Sequence, residues 1–165
     1  MYYKIEDFKK DWDYESKATV KVLSSITDSS LNQKVYSEGR TLARLAWHLV
    51  ESLLSISSHA GLIKEAQKQA GIPAEAKKIV EDYEKTSGII LDALSKNWKD
   101  ESLTEEIPMY GQMWKKGNVL SSLILHQAHH RGQITVLLRQ AGLKVPGVYG
   151  PSKEEWAYMN MPALD

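Results

Sequence analysis

The amino-acid sequence predicts an all-α protein, a four-helix bundle with a small hairpin before its last long helix. Four segments repeat apolar residues at spacings of three and four, which is the pattern of amphipathic helices that face a common core. Stretches rich in Ser, Asn, Gly and Pro separate these segments. The 165 residues are enough to bury one substantial core, and no internal repeat divides them. We therefore expect residues 1–165 to form a single domain of four packed helices.

The first helix is predicted from about Ile5 to Ile26. Its apolar face contains a step of seven residues, and Glu15 falls within that step. The segment from Thr27 to Tyr36 that follows is rich in Ser, Asp and Asn and predicts a loop. The residues of the apolar face are Ile5, Phe8, Trp12, Thr19, Val22 and Ile26.

The second and third helices follow the same spacing. Ser37 can cap the second helix, because its hydroxyl can accept a hydrogen bond from a backbone N–H that has no partner inside the helix. We expect this helix to end near Ala60, and a short, partly helical connection to lead to Pro73 in the first turn of the third helix. The third helix is predicted to end near Trp98. The two apolar faces comprise Leu42, Leu45, Leu49, Leu53 and Ile56, and then Ala76, Ile79, Val80, Tyr83, Ile90, Leu94 and Trp98.

A hairpin, the last helix and a tail complete the predicted architecture. Residues 103–114 contain a proline and a glycine between short apolar pieces, so we predict a small hairpin there. The last long helix is expected from residue 117 or 118 to residue 141, with Gly142 as its C-terminal cap. The tail is rich in Pro and Gly and predicts an ordered loop with one short helical turn near Lys153–Tyr158.

The composition narrows the classes of function. Lys plus Arg and Asp plus Glu each number 21, so the formal net charge is zero, and the basic residues are scattered. A nucleic-acid-binding protein needs a basic face, so we expect no nucleic-acid partner. The chain has no long apolar run and no pattern of a signal peptide, so we expect a cytoplasmic protein without a membrane span. Since there is no cysteine, any metal ion would be held by His, Asp, Glu or backbone oxygen.

Three histidines are placed to meet inside the predicted bundle. At 100° per residue, His126 and His130 lie about 40° apart, in the middle of the inward face of the last helix. Two imidazoles one turn apart can bind the same ion. His48, at the edge of the apolar stripe of the second helix, is the third candidate ligand. His129 lies at the rim of the stripe, and His59 lies about 16 Å beyond His48 along the axis, too far to share its ion.

Other polar and aromatic residues are weaker candidates. Gln133 could orient a ligand, or it could be a plain buried amide. Glu51 could accept a hydrogen bond from His48, but a solvated carboxylate is the simpler reading, and we expect Arg131 to form a surface or inter-element ion pair. We expect Trp47 to pack in the core. Spacing alone also leaves open whether the histidines are ligands or hydrogen-bonded core residues. The aromatic candidates for the mouth of a pocket, or for closing the core, are Tyr110, Trp114 and Tyr149.

Three segments of the chain resemble the DinB/YfiT-like superfamily, and the resemblance covers nearly the whole chain. In that family the equivalents of His48, His126 and His130 are the metal ligands, and all three are present. The resemblance implies the family's own four-helix bundle, one divalent ion (nickel, zinc, iron or manganese) and often a homodimer. The segments are TLARLAWH at 41–48, HQAHHRGQ at 126–133 and VPGVYGP at 145–151.

The resemblance also implies an activity. Three neutral imidazoles leave positions on the ion open to water or substrate. Members of the superfamily include bacillithiol-, mycothiol- and glutathione-dependent transferases and isomerases. We therefore expect a metal-dependent enzyme that activates a low-molecular-weight thiol, such as bacillithiol, for S-transfer to a small-molecule substrate, with Gln133 and Tyr110 as candidate catalytic residues. The alternatives are a hydrolase that uses metal-bound water and a non-catalytic metal-binding stress protein.

Overall fold

The computed structural model of the chain describes residues 1–64 and 71–162. The predicted all-α fold with a small hairpin before the last helix is confirmed. The partly helical connection predicted before Pro73 falls mostly on residues 65–70, outside the described residues. None of the described helices is both long and apolar enough to cross a membrane. The helices and strands are α1 (Ile5–Leu23), α2 (Leu42–His59), α3 (Ala76–Asn97), β1 (Glu106–Met109), β2 (Gln112–Lys115) and α4 (Lys116–Gln140), with 3₁₀ turns at Asp28–Ser30, Asp100–Thr104 and Trp156–Met159.

Each long helix lies against two others. Both α1 and α2 contact α3 and α4, so the four helices form a ring around one core. The largest buried side chains include Trp12 of α1 and Tyr83 of α3, and Trp47 of α2 packs there as predicted, with 2% of its surface exposed. Each buried side chain of this size contributes about 1.5–3 kcal/mol or more. The end of α1 at Leu23 precedes the predicted end, because the apolar spacing continues to the buried Ile26 after the helix has stopped.

Two helices begin later than the sequence predicts. The cap of α2 is Thr41, whose Oγ1 accepts a backbone N–H of the first turn at 3.0 Å, so the assignment of Ser37 as the cap is wrong. α3 begins at Ala76, after Pro73, so Pro73 precedes the helix and is not in its first turn. The Ala76 N–H donates to Oδ1 of Asp28 at 2.8 Å. This acceptor comes from the turn after α1, so a local sequence pattern could not reveal where α3 begins.

The two strands form an antiparallel hairpin that leads directly into α4. Met109 pairs with Gln112 at its closed end. The turn residues Tyr110 and Gly111 have φ angles of 51° and 81°, as a two-residue type I′ turn requires. Glycine adopts this backbone without strain, whereas a side chain as large as that of Tyr110 rarely does.

The C-terminus of α4 is capped at Gly142, as predicted. The helix ends at Gln140, and Gly142 follows with a φ of 73°. The backbone N–H of Leu143 then donates to the carbonyl of Leu138 at 2.9 Å, which satisfies one of the last carbonyls of the helix.

Candidate metal centre

Three imidazoles from two facing helices meet inside the bundle. His48 lies on α2, and His126 and His130 lie one turn apart on α4. One ring nitrogen of each lies within 4.8 Å of the other two. The ring centroids of His126 and His130 are 4.5 Å apart. The ring centroid of His48 lies 5.1 Å from that of His126 and 4.6 Å from that of His130. Since a zinc–imidazole bond is about 2.0–2.1 Å long, small ring rotations would bring all three nitrogens onto one ion.

His126 lies at the edge of the buried face of α4. The next residue, Gln127, is fully buried and points about 100° further round the helix. His126 is half-buried, whereas His130 is 7% exposed. The expectation that both histidines occupy the middle of the inward stripe is therefore wrong for His126. Its position at the edge brings its ring to a cavity instead of the core.

The three rings are held in their neutral form. Burial disfavours the charged ring and, with the neighbouring imidazoles of His130 and His48, lowers the pKa of His126 from 6.5 to about 4. Burial is also the first cause that lowers the pKa of His48 and of His130, and the positive charge of Arg40 contributes to both. A neutral imidazole has a lone pair available for a metal ion. The site therefore presents three ligands that need not lose a proton near neutral pH.

Hydrogen bonding orients one of the rings and leaves another unpartnered. Nδ1 of His130 lies 2.8 Å from Oε1 of Gln133. An amide oxygen only accepts, so Nδ1 donates its proton and Nε2 of His130 keeps the lone pair. Nδ1 of His126 is buried without a hydrogen-bond partner among the described residues. Three neutral imidazoles, one held by an amide and one with an unpartnered buried nitrogen, fit a divalent metal ion.

The triad opens into two cavities. The hairpin cavity, lined by His48, His126, Glu51, Tyr110 and Trp114 together with serines and an isoleucine of α2 and α4, has a volume of about 440 Å³. Two of the three aromatic candidates thus do line a pocket beside the histidines. The Glu51 carboxylate accepts a hydrogen bond from the guanidinium of Arg44 on the same helix. It is therefore ion-paired and partly exposed, and no hydrogen bond joins it to His48 in the described part of the chain.

The second cavity, the arginine cavity, has a volume of about 550 Å³. Arg40, His129, His130 and Gln133 line it, together with apolar residues of α2 and α4 and of the loop before α2. His130 faces this cavity, and the other two histidines of the triad face the hairpin cavity. The triad therefore lies where two separate molecules, or two ends of one molecule, can reach it.

The two other histidines stay outside the triad, as the helical geometry predicts. His129 is exposed, and its Nε2 lies 3.2 Å from Nε2 of Gln133. Nδ1 of His59 lies 2.9 Å from the carbonyl of Ser55, and its ring lies 5.0 Å from that of Tyr110. Across residues 1–64 and 71–162, no other group of three His, Asp or Glu side chains converges as the triad does.

A buried ion pair occupies the neighbouring face of α4. Arg131, 2% exposed, donates to Oε2 of Glu15 at 2.6 Å and to Oγ1 of Thr19 at 3.0 Å. The inter-element ion pair expected for Arg131 is therefore present, but it is buried instead of lying at the surface. The hydroxyl of Tyr149 donates to the same carboxylate at 2.9 Å, so Tyr149 anchors the tail and does not line either cavity described above.

Gln127 extends this polar network across the core. Its Oε1 accepts from Thr19 at 3.3 Å and from the hydroxyl of Tyr83 on α3. We did not predict this buried network from the sequence. The available signals were Glu15, at an apolar position of the first helix, and Gln127 and Arg131, spaced four apart beside the two histidines.

Comparisons with known proteins agree with this fold. A model of the DinB family matches residues 1–162. The uncharacterized protein YrdA of Bacillus subtilis (strain 168) is 44% identical over 164 residues, which cover 99% of this chain and 98% of YrdA. The crystal structure of a DinB-like protein from Bacillus cereus ATCC 10987 is 43% identical and superposes with a TM-score of 0.85, covering 90% of this chain and 100% of that one. The DinB-like protein YjoA of Bacillus subtilis, 16% identical with a TM-score of 0.67 over 86% of this chain and 97% of its own, shares the fold.

Proposed function

Because this chain belongs to the DinB family, we propose that it is a metal-dependent enzyme that activates a low-molecular-weight thiol, such as bacillithiol, for S-transfer. One divalent ion (nickel, zinc, iron or manganese) is the cofactor, and His48, His126 and His130 hold it. The observation that carries the proposal is the convergence of three neutral imidazoles beside two open cavities. A site built to stabilise the fold alone would need neither cavity.

The chain's own residues prepare this chemistry. A divalent ion lowers the pKa of a thiol bound to it, so that the sulfur ionises near neutral pH. His126 and its two partners stay neutral because they are buried together. Gln133 holds the ring of His130 by accepting from Nδ1, which keeps Nε2 free.

The overall reaction needs no oxidant or reductant. The sulfur of the thiol forms a bond to an electrophilic carbon, the bond from that carbon to a leaving group breaks, and the leaving group departs with the electron pair. The proton of the thiol is released to solvent. The two cavities, of about 440 and 550 Å³, have the volume of small-molecule sites. One can hold the thiol and the other the electrophile.

A thiol-by-electrophile screen on chelator-treated and metal-reconstituted protein tests the proposal. We expect product only when both a thiol and a divalent ion are present, and we expect none from His126→Ala. His59→Ala is the matched control, because His59 lies on α2 outside the triad, and it should keep the activity. An undiminished rate in the metal-free protein would contradict the proposal.

The same screen separates the alternative functions. Hydrolysis of an ester or amide that depends on the metal but not on a thiol would show that the protein is a hydrolase instead of an S-transferase. Metal binding without turnover of any substrate pair would favour a non-catalytic metal-binding protein. The homodimer expected from the family stays a prediction, which sedimentation equilibrium tests.

A further inference from the structure

We infer that the arginine cavity binds the anionic end of the thiol co-substrate, a carboxylate or phosphate, and that Arg40 receives this group. The inference rests on the proposed function, because it places the sulfur of that molecule at the histidine triad. The substrate class is a thiol with an anionic group on a short carbon chain, and Arg40 is a residue that determines specificity for it.

Arg40 differs from the other arginines of the chain. Arg44 is paired with Glu51, Arg131 with Glu15, and Arg139 with Glu154. Arg40 is the fourth, and within the described parts of the chain no carboxylate lies within ion-pair distance of it. Its guanidinium can therefore pair with a ligand without first breaking an internal ion pair.

The chemistry of the cavity wall also favours an anion. Among the described residues, no Asp or Glu lines this cavity. Gln133 and His129 add polar N–H groups, and Leu45 and Val136 provide an apolar surface for a carbon chain. Arg40 and His130 of the triad line the same cavity. A thiol bound through its sulfur at the triad would thus have a cation within reach of its other end.

An arginine suits this role better than a lysine would. Its planar guanidinium offers two parallel N–H groups to a carboxylate or a phosphate, which fixes the direction of the ligand as well as its charge. The hairpin cavity contrasts with this arrangement. Its wall combines the rings of Tyr110 and Trp114 with serine hydroxyls, and its Glu51 carboxylate is already paired with Arg44. We therefore place the anionic thiol in the arginine cavity and an uncharged electrophile in the hairpin cavity.

Cobalt-loaded protein tests the inference without an activity assay, through the absorbance band that appears when a thiolate binds Co²⁺. The probes are 3-mercaptopropionate, which carries a carboxylate, and 2-mercaptoethanol, which is uncharged. We expect Arg40→Gln to weaken binding of 3-mercaptopropionate about tenfold, which is the loss of one charge-assisted hydrogen-bonded pair. Binding of 2-mercaptoethanol should change less than about twofold.

Lys34→Gln is the matched control. Lys34 lies in the same loop and carries the same charge, but it contacts the carbonyl of Ser37 and does not line the cavity. The Lys34→Gln variant should bind both thiols as tightly as the wild type does. Equal weakening by Lys34→Gln and Arg40→Gln would show a general effect of charge and would overturn the inference, as would an unchanged affinity of Arg40→Gln for 3-mercaptopropionate.

Competition at matched ionic strength identifies the anion. Acetate or inorganic phosphate, whichever the cavity prefers, should displace 3-mercaptopropionate from the wild type and not from Arg40→Gln. Displacement by neither anion would count against the inference. Failure of the inference can be told apart from failure of the proposed function. If the triad bound no metal or no thiol, the absorbance band would be missing with 2-mercaptoethanol as well as with 3-mercaptopropionate.

Discussion

Two faces of α4 have opposite environments, although the residues that form them are neighbours in the sequence. Gln127 and Arg131 point into the core, where α1 supplies hydrogen-bond partners for both side chains and α3 supplies one for Gln127. His126 and His130 point toward α2 and the two cavities. There, one buried nitrogen of His126 has no partner among the described residues. On the first face only Nε2 of Gln127, which has no lone pair to offer a metal ion, lacks a partner among the described residues, whereas the second face presents lone pairs that the chain leaves unused.

The core face of α4 holds the helix in place, whereas its histidine face is available to a ligand. A buried ion pair fixes a side chain strongly, because losing either partner leaves an uncompensated charge in the core. The pair between Arg131 and Glu15 therefore fixes the rotation of α4 about its axis. Since His130 directly precedes Arg131, that rotation also sets where the histidines point. The four predictions that follow test this separation of roles, from the largest expected effect to the smallest.

Removal of Arg131 should have the largest effect on stability. Arg131→Ala leaves the Glu15 carboxylate buried and unpaired, so we expect the free energy of unfolding to fall by about 3–5 kcal/mol in urea denaturation. Arg139→Ala is the control, because its ion pair with Glu154 is partly exposed, at 41% and 32% of the two side chains, and should contribute about 1 kcal/mol or less. Similar losses from the two variants would contradict the separate role of the buried face.

Removal of His126 should abolish stabilisation by metal. For the wild type, a metal concentration 1,000 times the dissociation constant raises the free energy of unfolding by about 4 kcal/mol. We expect His126→Ala to lose this gain, while its metal-free form stays folded because His126 makes no internal hydrogen bond through Nδ1. Thermal unfolding with and without Zn²⁺ measures both effects. His129→Ala should keep the gain, since His129 lies outside the triad.

Acid should destabilise the metal-free protein through the histidine face. Histidines of the unfolded chain titrate near 6.5, whereas the pKa of His126 in the folded protein is about 4. Between these values the unfolded chain binds more protons, so stability is present above pH 6.5 and falls as the pH drops toward 4. Urea midpoints of chelator-treated protein between about pH 5 and 7 measure the slope. His126→Asn should flatten it, and a slope that stays the same would show that another group is responsible.

The hairpin should show the smallest effect. Tyr110 has a positive φ at a turn where Asn is better tolerated, so Tyr110→Asn should raise the free energy of unfolding by about 1 kcal/mol. Gly111→Ala should lower it, because its φ of 81° disfavours any side chain. Thermal unfolding of both variants checks the opposite signs. If Tyr110→Asn is more stable than the wild type but binds substrates less tightly in the hairpin cavity, the side chain of Tyr110 contributes to substrate binding at a cost in stability.

The sequence predicted the four helices and the pairing of His126 with His130 because both follow from local spacing, whereas the inclusion of His48 as a third ligand rested on the family resemblance. An apolar stripe and a His pair four residues apart are properties of a single helix. The start of α3 and the network around Gln127 depend on partners far away in the chain. Asp28 lies 48 residues before Ala76, and Glu15 lies 116 residues before Arg131. A polar residue in an apolar stripe becomes recognisable as buried only once its partner from another helix is known.

X-ray absorption spectroscopy of zinc-loaded protein tests the central claim most directly, because it counts the ligands around the metal itself. We expect one zinc per chain, bound by three imidazole nitrogens at about 2.0–2.1 Å, with water oxygens at the open positions. His126→Ala should lose one imidazole or the ion altogether, and His59→Ala should leave the spectrum unchanged. A wild-type spectrum with only oxygen ligands, or one that His126→Ala does not alter, would contradict the assignment of the triad as the metal site.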